Sequence, residues 1–488
     1  MRARSVRKRL RKKGVITVFS AVSFALTVSL FLSLLESARI QGMQYFYPEY
    51  VNLQADNVLA HYNSDIYDRF GLFGRLNDGK VEETLNEYLN RDEELLERDL
   101  LKGKSAKVDE LRVKLMTDDE GEAFQHLAAS YMKSIIPEVF PDKVKEIGAN
   151  FRSIEEYIDG SKILEHIDAA VDAVLKALAI ARSRLYKTVT DADGNEITVE
   201  DPEMLAAIEQ LESCGILEAK DKIEHFTLFN LLPEGLGVSK GKKLHYDPIG
   251  ERELSKGEME PVFTDKTEYT LMLLYAASTL RSYLNQYADF NEDENDPVNK
   301  ENLIYELEYV CCGEGTDEEN LSHTMKRIYV MRTAIRFLTN LLNPGSVATA
   351  ESMAIMLVGF TGLPFLIPLV KLGIIICWSL TEAVTDCKLL LSGGNIPLVP
   401  YSTAGIVQIN YVQHVLLLLI PKGTKKVANR IMDMIEESAH EKMDDMIIAL
   451  EGKVNVYTDL KIARAILMIP IPDVGVNNKY EYYSKYYR

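Results

Sequence analysis

Tryptophan and cysteine are scarce in this 488-residue chain, which holds one tryptophan and five cysteines. The cysteines are Cys214, Cys311, Cys312, Cys377 and Cys387, and no two of them form a C-x-x-C pair. An odd count leaves at least one thiol unpaired within the chain, and a chain of this length can build a core without disulfides. No histidine cluster accompanies the adjacent Cys311 and Cys312, so we interpret them as ordinary core thiols rather than as a redox or metal site.

Catalytic and metal-binding signatures are also missing. The sequence contains no G-x-S-x-G elbow, no Walker-type phosphate loop and no H-E-x-x-H zinc helix. Glu437 and His440 form the one E-x-x-H step, whereas a carboxylate di-metal bundle needs two, so we interpret this step as an exposed helix face. The acidic stretches 191–195 and 289–296 lack EF-hand spacing and suit turns or linkers. We therefore expect no catalytic residue, no cofactor and no metal site, and a chain that is not an enzyme.

Basic charge is confined to the N-terminus. The chain has 55 basic and 73 acidic residues, a net charge of −18, and eight of the basic residues lie within residues 2–13. Without those eight, residues 14–488 carry 47 basic and 73 acidic residues, or −26. Nucleic-acid binding needs a concentrated basic face, so this composition excludes nucleic acid as a partner. We attribute the acidic balance to solubility.

The basic tail precedes a long apolar run. Val15 to Leu35 contains twenty-one residues without a charge, and at ~1.5 Å per residue this run would extend about 31 Å as a helix, enough to cross a bilayer core. The positive charges on one side place the N-terminus in the cytoplasm and the bulk of the chain outside, in a single-pass arrangement. A cleaved signal peptide is the alternative, but the run is long for one and ends in Leu34-Leu35-Glu36-Ser37-Ala38-Arg39, where charges spoil a cleavage site.

Small residues recur every fourth position along this predicted anchor. They are Thr17, Ala21, Ala25, Ser29, Ser33 and Ser37. Small side chains let helix backbones approach closely in lipid, so we predict that this ridge packs against another membrane helix, in a homo-oligomer or a larger machine. The alternative is that small residues are simply common in membrane helices.

The rest of the chain is predicted to be mainly α with a minor β component: a transmembrane helix followed by a mostly helical extracytoplasmic region with a small β-hairpin. A hairpin is indicated near residues 186–200 by two β-prone runs around an Asp-Gly turn. Helices are predicted over 81–101, 106–117, 163–186, 317–342 and 424–450, the fourth preceded by a Thr316–Glu319 capping box. The predicted segments are a tail at 1–13, an anchor at 14–36, a membrane-proximal lobe at 37–236, a linker at 237–262, a helical lobe at 263–450 and a tyrosine-rich tail at 451–488.

Two stretches leave alternatives open. The first is the stretch 354–380: its residues 354–370 lack charge, but Pro364 and Pro368 interrupt them, which favours a buried helical hairpin over membrane insertion. The tail from Tyr480 to Arg488 holds five tyrosines and suits either an edge strand or a partner-binding segment.

The N-terminus resembles TadE/TadG-like pilus-assembly proteins through Gly14, the apolar run, Glu36, Arg39, and the pair Ala55-Asp56. Three further stretches, 308–321, 378–394 and 430–435, resemble an uncharacterised Gram-positive bacterial family of membrane-anchored proteins with this same N-terminus. The resemblance implies a role in pilus assembly. Processed pilins carry Glu at the fifth position after the cleaved Gly, whereas Phe19 stands there in this chain, which indicates a retained accessory protein rather than a pilin subunit.

These features together predict a membrane-anchored structural or assembly component of a Tad-like pilus or secretion apparatus. Its expected partners are the lipid bilayer, other membrane helices or pilus-assembly proteins, and further copies of itself. An anchored extracytoplasmic enzyme or ligand-binding module without a recognisable motif is the alternative. Convergent carboxylates with perturbed protonation in a deep pocket would favour that alternative.

Overall fold

The computed structural model describes part of the chain. The described residues are 2–95, 105–135, 175–176, 178–180, 182–190, 194–213, 231–232, 237–239, 241–284, 302–359, 364–399, 408–460, 462 and 475–486. The helices within them are α1 (Arg2–Leu59), α2 (Ser64–Phe70), α3 (Val81–Leu95), α4 (Glu122–Ile135), α5 (Pro202–Ser213), α6 (Lys266–Thr279), α7 (Glu306–Cys312), α8 (Asp317–Leu342), α9 (Pro344–Gly359), α10 (Ile367–Leu391), α11 (Tyr411–Leu419) and α12 (Thr424–Ala439).

The strands are few by comparison. They are β1 (Arg75–Leu76), β2 (Ser105–Leu115), β3 (Tyr186–Thr190), β4 (Glu196–Glu200), β5 (Ile396–Pro397), β6 (Gln408–Ile409), β7 (Met446–Asp459) and β8 (Gly475–Lys485). The fold is therefore mainly α with minor β, as predicted, and the predicted hairpin is confirmed as the antiparallel pair β3–β4.

The chain divides into two compact units. Unit 1 comprises residues 1–119, 254–262 and 442–488, and unit 2 comprises residues 120–253 and 263–441.

Unit 1 is built on a four-stranded antiparallel sheet with β7 at its centre. Strand β2 pairs with one edge of β7, and β1 and β8 pair with the other. At Gly452 the strands approach so closely that a Cβ would lie 2.0 Å from the carbonyl oxygen of Glu110. The half of α1 that follows the predicted anchor packs on this sheet together with α3, and Tyr47, Val51 and Ala55 are fully buried in the resulting core.

Unit 2 contains the remaining helices and the small strand pairs β3–β4 and β5–β6. Thr316 caps α8, since its hydroxyl accepts a hydrogen bond from the Glu319 amide and donates one to the Glu319 carboxylate at 2.8 Å. This confirms the predicted cap and the helix at 317–342. A buried ion cluster joins α8 to α10: Arg332 and Arg336 both donate to the carboxylate of Asp386, at 2.6 to 2.9 Å.

Several predicted elements differ in the structure. Residues 105–115 form strand β2 rather than a helix, and the helix predicted at 424–450 ends at Ala439 and is followed by strand β7. From the sequence alone we expect a helix after the anchor that is interrupted near Pro48, and a turn over residues 65–74. Residues 64–70 instead form helix α2, capped by the Asn63 side chain. Helix α1 continues through Pro48, with Tyr47 and Val51 packed on the sheet beside it. The helix predicted at 163–186 lies largely outside the described residues.

The C-terminal tyrosines belong to a strand. Tyr480, Tyr482 and Tyr483 lie on β8, which pairs with β7 from Ala449 to Asp459. The edge-strand interpretation of this tail is therefore confirmed for its described residues. The predicted segment boundaries, including the linker at 237–262, stay predictions.

Candidate functional site

Two described helices are long and apolar enough to cross a membrane: the stretch of α1 that begins at Ile16, and α10. The most apolar window of α1 is fully exposed, whereas half of the α10 window is buried by the protein itself. In α1 the large side chains Phe19, Phe24 and Leu26 have no cover from the chain. An N-terminal apolar helix of this length is suited to be a membrane anchor.

The predicted small-residue ridge lies on the exposed surface of α1. All six members, from Thr17 to Ser37, are exposed. Four of them, Ala25, Ser29, Ser33 and Ser37, line a groove of about 760 Å³ that ends beside Leu460. The Ser33 hydroxyl donates to the Ser29 carbonyl oxygen at 2.9 Å, so its hydrogen-bonding need is met inside the helix.

Helix geometry decides how this ridge meets a neighbour. A residue four positions on lies roughly 40° further around an α-helix, because the helix turns by about 100° per residue. The ridge therefore winds by roughly 200° from Thr17 to Ser37, and a straight partner helix follows it over only part of its length. Small-residue interfaces with right-handed crossings have angles of about −40°, which limits the contact to a short stretch of each helix.

The residues of the family-like N-terminal motif lie where α1 leaves the predicted membrane span. Glu36 and Arg39 form a buried ion pair, in which Arg39 Nε and Nη2 donate to Glu36 Oε1 at 2.9 and 2.7 Å. Arg39 also donates to the carbonyl oxygen of Asp459, at the end of β7, and Glu36 Oε2 accepts from the amide of Ile462 at 2.9 Å. The acid-x-x-Arg step thus fastens the anchor helix to the central strand of the sheet. We call these two side chains the Glu36–Arg39 clamp.

The second half of the motif, Ala55-Asp56, lies against the sheet and contacts strand β8. Ala55 is fully buried against the sheet, and the exposed Asp56 accepts a hydrogen bond from the Ser484 hydroxyl on β8. One turn earlier, the Asn52 side chain accepts from the Tyr483 amide at 3.0 Å. The motif therefore joins the N-terminal helix to strands more than 400 residues away along the chain. Gly14 lies in α1, and its surroundings fall outside the described side chains.

Aromatic rings fill the space between α1 and the sheet. Tyr47 stacks on Tyr480 with ring centroids 5.4 Å apart, and Tyr50 donates its hydroxyl to the Leu89 carbonyl oxygen at 2.9 Å. Aromatic residues are common at membrane interfaces, so the sequence predicts that Tyr45, Tyr47 and Tyr50 lie there. Tyr47 and Tyr50 are instead buried in the core. Only Tyr45 of the three is exposed, with 85% of its surface accessible.

Unit 2 buries carboxylates whose protonation is perturbed. Burial raises the pKa of Glu308 to about 7, although its Oε1 accepts hydrogen bonds from the Tyr283 amide and the Tyr411 hydroxyl. Burial likewise raises the pKa of Asp433 to about 6, while its oxygens accept from the Ile249 amide and the Tyr309 hydroxyl. These partners are backbone amides and tyrosines that hold the helices together.

The prediction that the E-x-x-H step lies on an exposed helix face is wrong for Glu437. Glu437 is buried, accepts from the His245 amide at 3.2 Å and lies 2.6 Å from Nδ1 of the same histidine. His440 instead ends α12 with a left-handed backbone, at φ 55°. Among the described residues, no group of three or more His, Cys, Asp or Glu side chains is arranged to hold a metal ion.

The cysteines that the structure describes are buried and reduced, which agrees with their interpretation as core thiols. Cys214 lies outside the described residues. A hydrogen bond from Cys312, with Lys422 and Arg327 nearby, lowers the pKa of Cys311. The carbonyl oxygens of this cysteine pair accept hydrogen bonds from Arg430, which caps the C-terminal end of α7.

Comparison with known proteins gives one match. The model of a family of unknown function, DUF5702, matches residues 207–404, less than half of the chain. No curated protein and no solved structure matches this chain. The family-like stretches at 308–321 and 378–394 lie inside the matched range, whereas 430–435 and the N-terminal motif lie outside it. The chain is therefore similar to this family over its central region, and the match carries no activity with it.

Proposed function

We propose that this chain is a structural or assembly component, anchored in the cell membrane by α1, of a Tad-like pilus or secretion apparatus. Its N-terminus lies in the cytoplasm and its two folded units outside, and α1 is its one membrane span. It acts by packing its anchor against other membrane helices and by protein–protein contacts of its exported part.

The continuity of α1 is the observation that carries this proposal. One helix runs from the basic tail through the exposed apolar span into the core of unit 1, where the Glu36–Arg39 clamp fastens it to β7. A flexible linker would let the exported part move independently of the anchor, whereas a continuous clamped helix transmits orientation. A rigid connection of this kind suits a part that must hold a defined position in an assembly.

The groove along the small-residue ridge supports the membrane side of the role. Its lining includes Ala25, Ser29 and Ser33, which lie within the predicted span, and the polar Gln41 and Gln44, which lie beyond it. A partner helix seated there would contact small residues in the lipid and amides outside it. Interhelical packing and hydrogen bonds of these two kinds drive association in membranes.

Co-purification from native membranes tests this role. Ser29→Leu fills the ridge, while Thr27→Leu makes a comparable size change about 200° around the helix and serves as the matched control. We expect the unmodified chain and the Thr27 variant to recover a Tad-type ATPase, platform protein or pilin. Recovery with the Ser29 variant should fall roughly tenfold, since helix contacts in lipid contribute about 1–2 kcal/mol. Recovery of the unmodified chain only as a free monomer would contradict the proposal.

The orientation is tested separately. Tyr45→Cys places a thiol at an exposed position just beyond the predicted span, where 85% of the native side chain is accessible. In a Cys214→Ser background, a membrane-impermeant maleimide added to intact cells should label this variant and leave the chain with native Tyr45 unlabelled, because the other four cysteines are buried. Labelling only after the cells are opened would reverse the orientation.

A further inference from the structure

The β3–β4 hairpin of unit 2 stands apart from the other strands. All ten of its strand residues are exposed, including the apolar Val189, Ile197 and Val199, which the pairing register places on one face. Among the described residues, no third strand pairs with either edge. Isolated two-stranded hairpins are marginally stable in water, and unpaired edges are templates for another strand. This hairpin therefore has the form of an incomplete sheet.

The base of the hairpin shows which backbone groups point outward. The Asp201 amide donates to the Leu185 carbonyl oxygen at 2.8 Å, and in the antiparallel register the hydrogen-bonded pairs alternate from there. Lys187 with Val199 and Val189 with Ile197 are then hydrogen-bonded pairs inside the hairpin. The outward backbone groups on β3 consequently belong to Tyr186, Thr188 and Thr190. Those on β4 belong to Glu196, Thr198 and Glu200.

Charge distinguishes the two edges. If β4 paired antiparallel with a second β4 about Thr198, Glu196 of each copy would lie opposite Glu200 of the other, and directly opposed like charges destabilise a sheet. If β3 paired with a second β3 about Thr188, Tyr186 would lie opposite Thr190, and no like charges would be opposed. The three outward residues of β3 would then form three hydrogen-bonded pairs, with six backbone hydrogen bonds in all.

Packing excludes the remaining combination. Pairing β3 of one copy with β4 of the next would repeat the hairpin by a translation of about 9.6 Å, twice the strand spacing. The hairpin rises from α5 and the helical residues 182–183, which the Arg182–Glu212 ion pair joins. Packed helices lie about 8–10 Å apart from axis to axis, so a base with two helices per copy is wider than that translation, and neighbouring bases would overlap. Antiparallel pairing of two β3 strands instead places the two helical bases at opposite ends of the new sheet.

We propose that two copies of this chain associate through the outer edge of β3, in a symmetric antiparallel contact centred on Thr188. The contact completes a four-stranded sheet and brings together the apolar faces that carry Val189, Ile197 and Val199. It deepens the proposed assembly role by naming a partner, a second copy of this chain, but it does not depend on the pilus apparatus. The interface is small, so confinement of both copies to one membrane strengthens it by raising their effective concentration.

Disulfide trapping of the full chain in membranes tests this contact. In hydrogen-bonded antiparallel pairs the Cα atoms lie about 5.5 Å apart, within the range of a disulfide. Thr188→Cys should therefore form a disulfide-linked dimer under mild oxidation, and a peptide joined through residue 188 of both copies should be found. Thr198→Cys is the matched control, because Thr198 pairs with Thr188 in the same hairpin and is equally exposed. No linked dimer at residue 188, or equal linkage at 188 and 198, would overturn the proposal.

A charge at the symmetry axis supplies the second measurement. Thr188→Lys places two lysines opposite each other across the contact, whereas Thr198→Lys adds the same charge to the edge that the proposal leaves free. The dimer fraction of the full chain in its membranes, measured by cross-linking, should fall for the first variant and be retained for the second. Equal dimer fractions in the two variants would refute the β3 contact. Recovery of pilus-assembly partners, measured in parallel, reports separately on the proposed function.

Discussion

Breaking the Glu36–Arg39 clamp should release the sheet of unit 1 from the anchor helix. The perturbation is Arg39→Ala, compared with Glu36→Ala and with the double variant. Arg91→Ala on α3 is the matched control, because Arg91 lies in the same unit and its ion pair with Glu87 is exposed. Both clamp side chains are nearly inaccessible, with 9% of the Glu36 side chain and 3% of the Arg39 side chain exposed.

The structure sets the size of the effect. Arg39→Ala removes two hydrogen bonds to the Glu36 carboxylate and the bond to the Asp459 carbonyl oxygen. Among the described residues, the buried carboxylate then keeps the Ile462 amide as its hydrogen-bond partner. Removing one partner of a buried ion pair costs about 3–5 kcal/mol, mainly because a buried charge loses its compensation. The exposed helical pair of the control contributes about 0.3–0.5 kcal/mol. The double variant removes both charges, so it should be less destabilised than the two single variants summed.

Urea unfolding of the full chain in detergent, followed by tyrosine fluorescence, measures these free energies, and hydrogen exchange locates the change. The Ile462 amide and the end of β7 should lose protection in Arg39→Ala, whereas the β2–β7 pairing around Val454 should keep more of its protection. A loss below about 1 kcal/mol, or strictly additive single variants, would refute the reasoning, because either result means that the two charges do not stabilise each other.

Three further predictions concern unit 2. Burial raises the pKa of Glu308 to about 7, whereas the unfolded chain releases this proton near pH 4.5. The free energy of unfolding that this group contributes is therefore greatest below pH 4.5, and it declines as the pH rises to about 7. Glu308→Gln should flatten this dependence in urea midpoints measured from pH 4.5 to 8, and an unchanged slope would contradict the assignment. Asp386→Ala leaves Arg332 and Arg336 without their shared acceptor and should cost about 3–5 kcal/mol by chemical denaturation, whereas a loss under 1 kcal/mol would show that solvent already screens the cluster. Thr316→Ala removes the cap of α8 and should cost about 1 kcal/mol, while Thr316→Ser should restore most of it; equal losses in both variants would mean that the hydroxyl does not cap the helix.

The sequence predicts an element well where capping or turn residues at its ends mark its boundaries. The Thr316 cap and the Asp-Gly turn of the hairpin each depend on side chains within a few residues, and the structure has both boundaries close to where the sequence places them. The apolar run of the anchor was equally plain. Such features are predictable because no distant residue is needed to form them.

The sequence does not predict strands β2 and β7 of unit 1, and the structure shows why. In β2 the buried positions Ala106 and Val108 are even-numbered, but the apolar positions Leu111, Val113 and Leu115 are odd-numbered, because the register with β7 shifts after Val108. Such a bulge breaks the period of two that identifies a strand. In β7 the residues from Met446 to Leu450 are buried on both faces of the sheet, so apolar and polar residues do not alternate there. Met443, Met446 and Leu450 are also spaced three and four residues apart, which is the spacing of an apolar helix face.

The clamp itself was named from the sequence as a motif, but its partners were not. Glu36 and Arg39 appear in the sequence as the end of a membrane span, and nothing near them indicates that Asp459 and Ile462 complete the site. A contact of this kind requires the tertiary fold, since more than 400 residues separate its two sides. Pairing is needed because the fold buries both side chains, and a charge that is buried without a partner is costly.

The long separation also fixes an order of events. During synthesis the docking face of α1, with Met43, Tyr47, Val51 and Ala55, is made before β7 and β8. That face cannot be covered until Met446–Lys485 arrives, because the sheet it packs on is centred on β7. Contacts of such sequence separation form late, since the entropy of closing the intervening chain must be overcome first. The charges of the Glu36–Arg39 clamp therefore gain their partners at Asp459 and Ile462 only when the C-terminal part of the chain has joined the sheet.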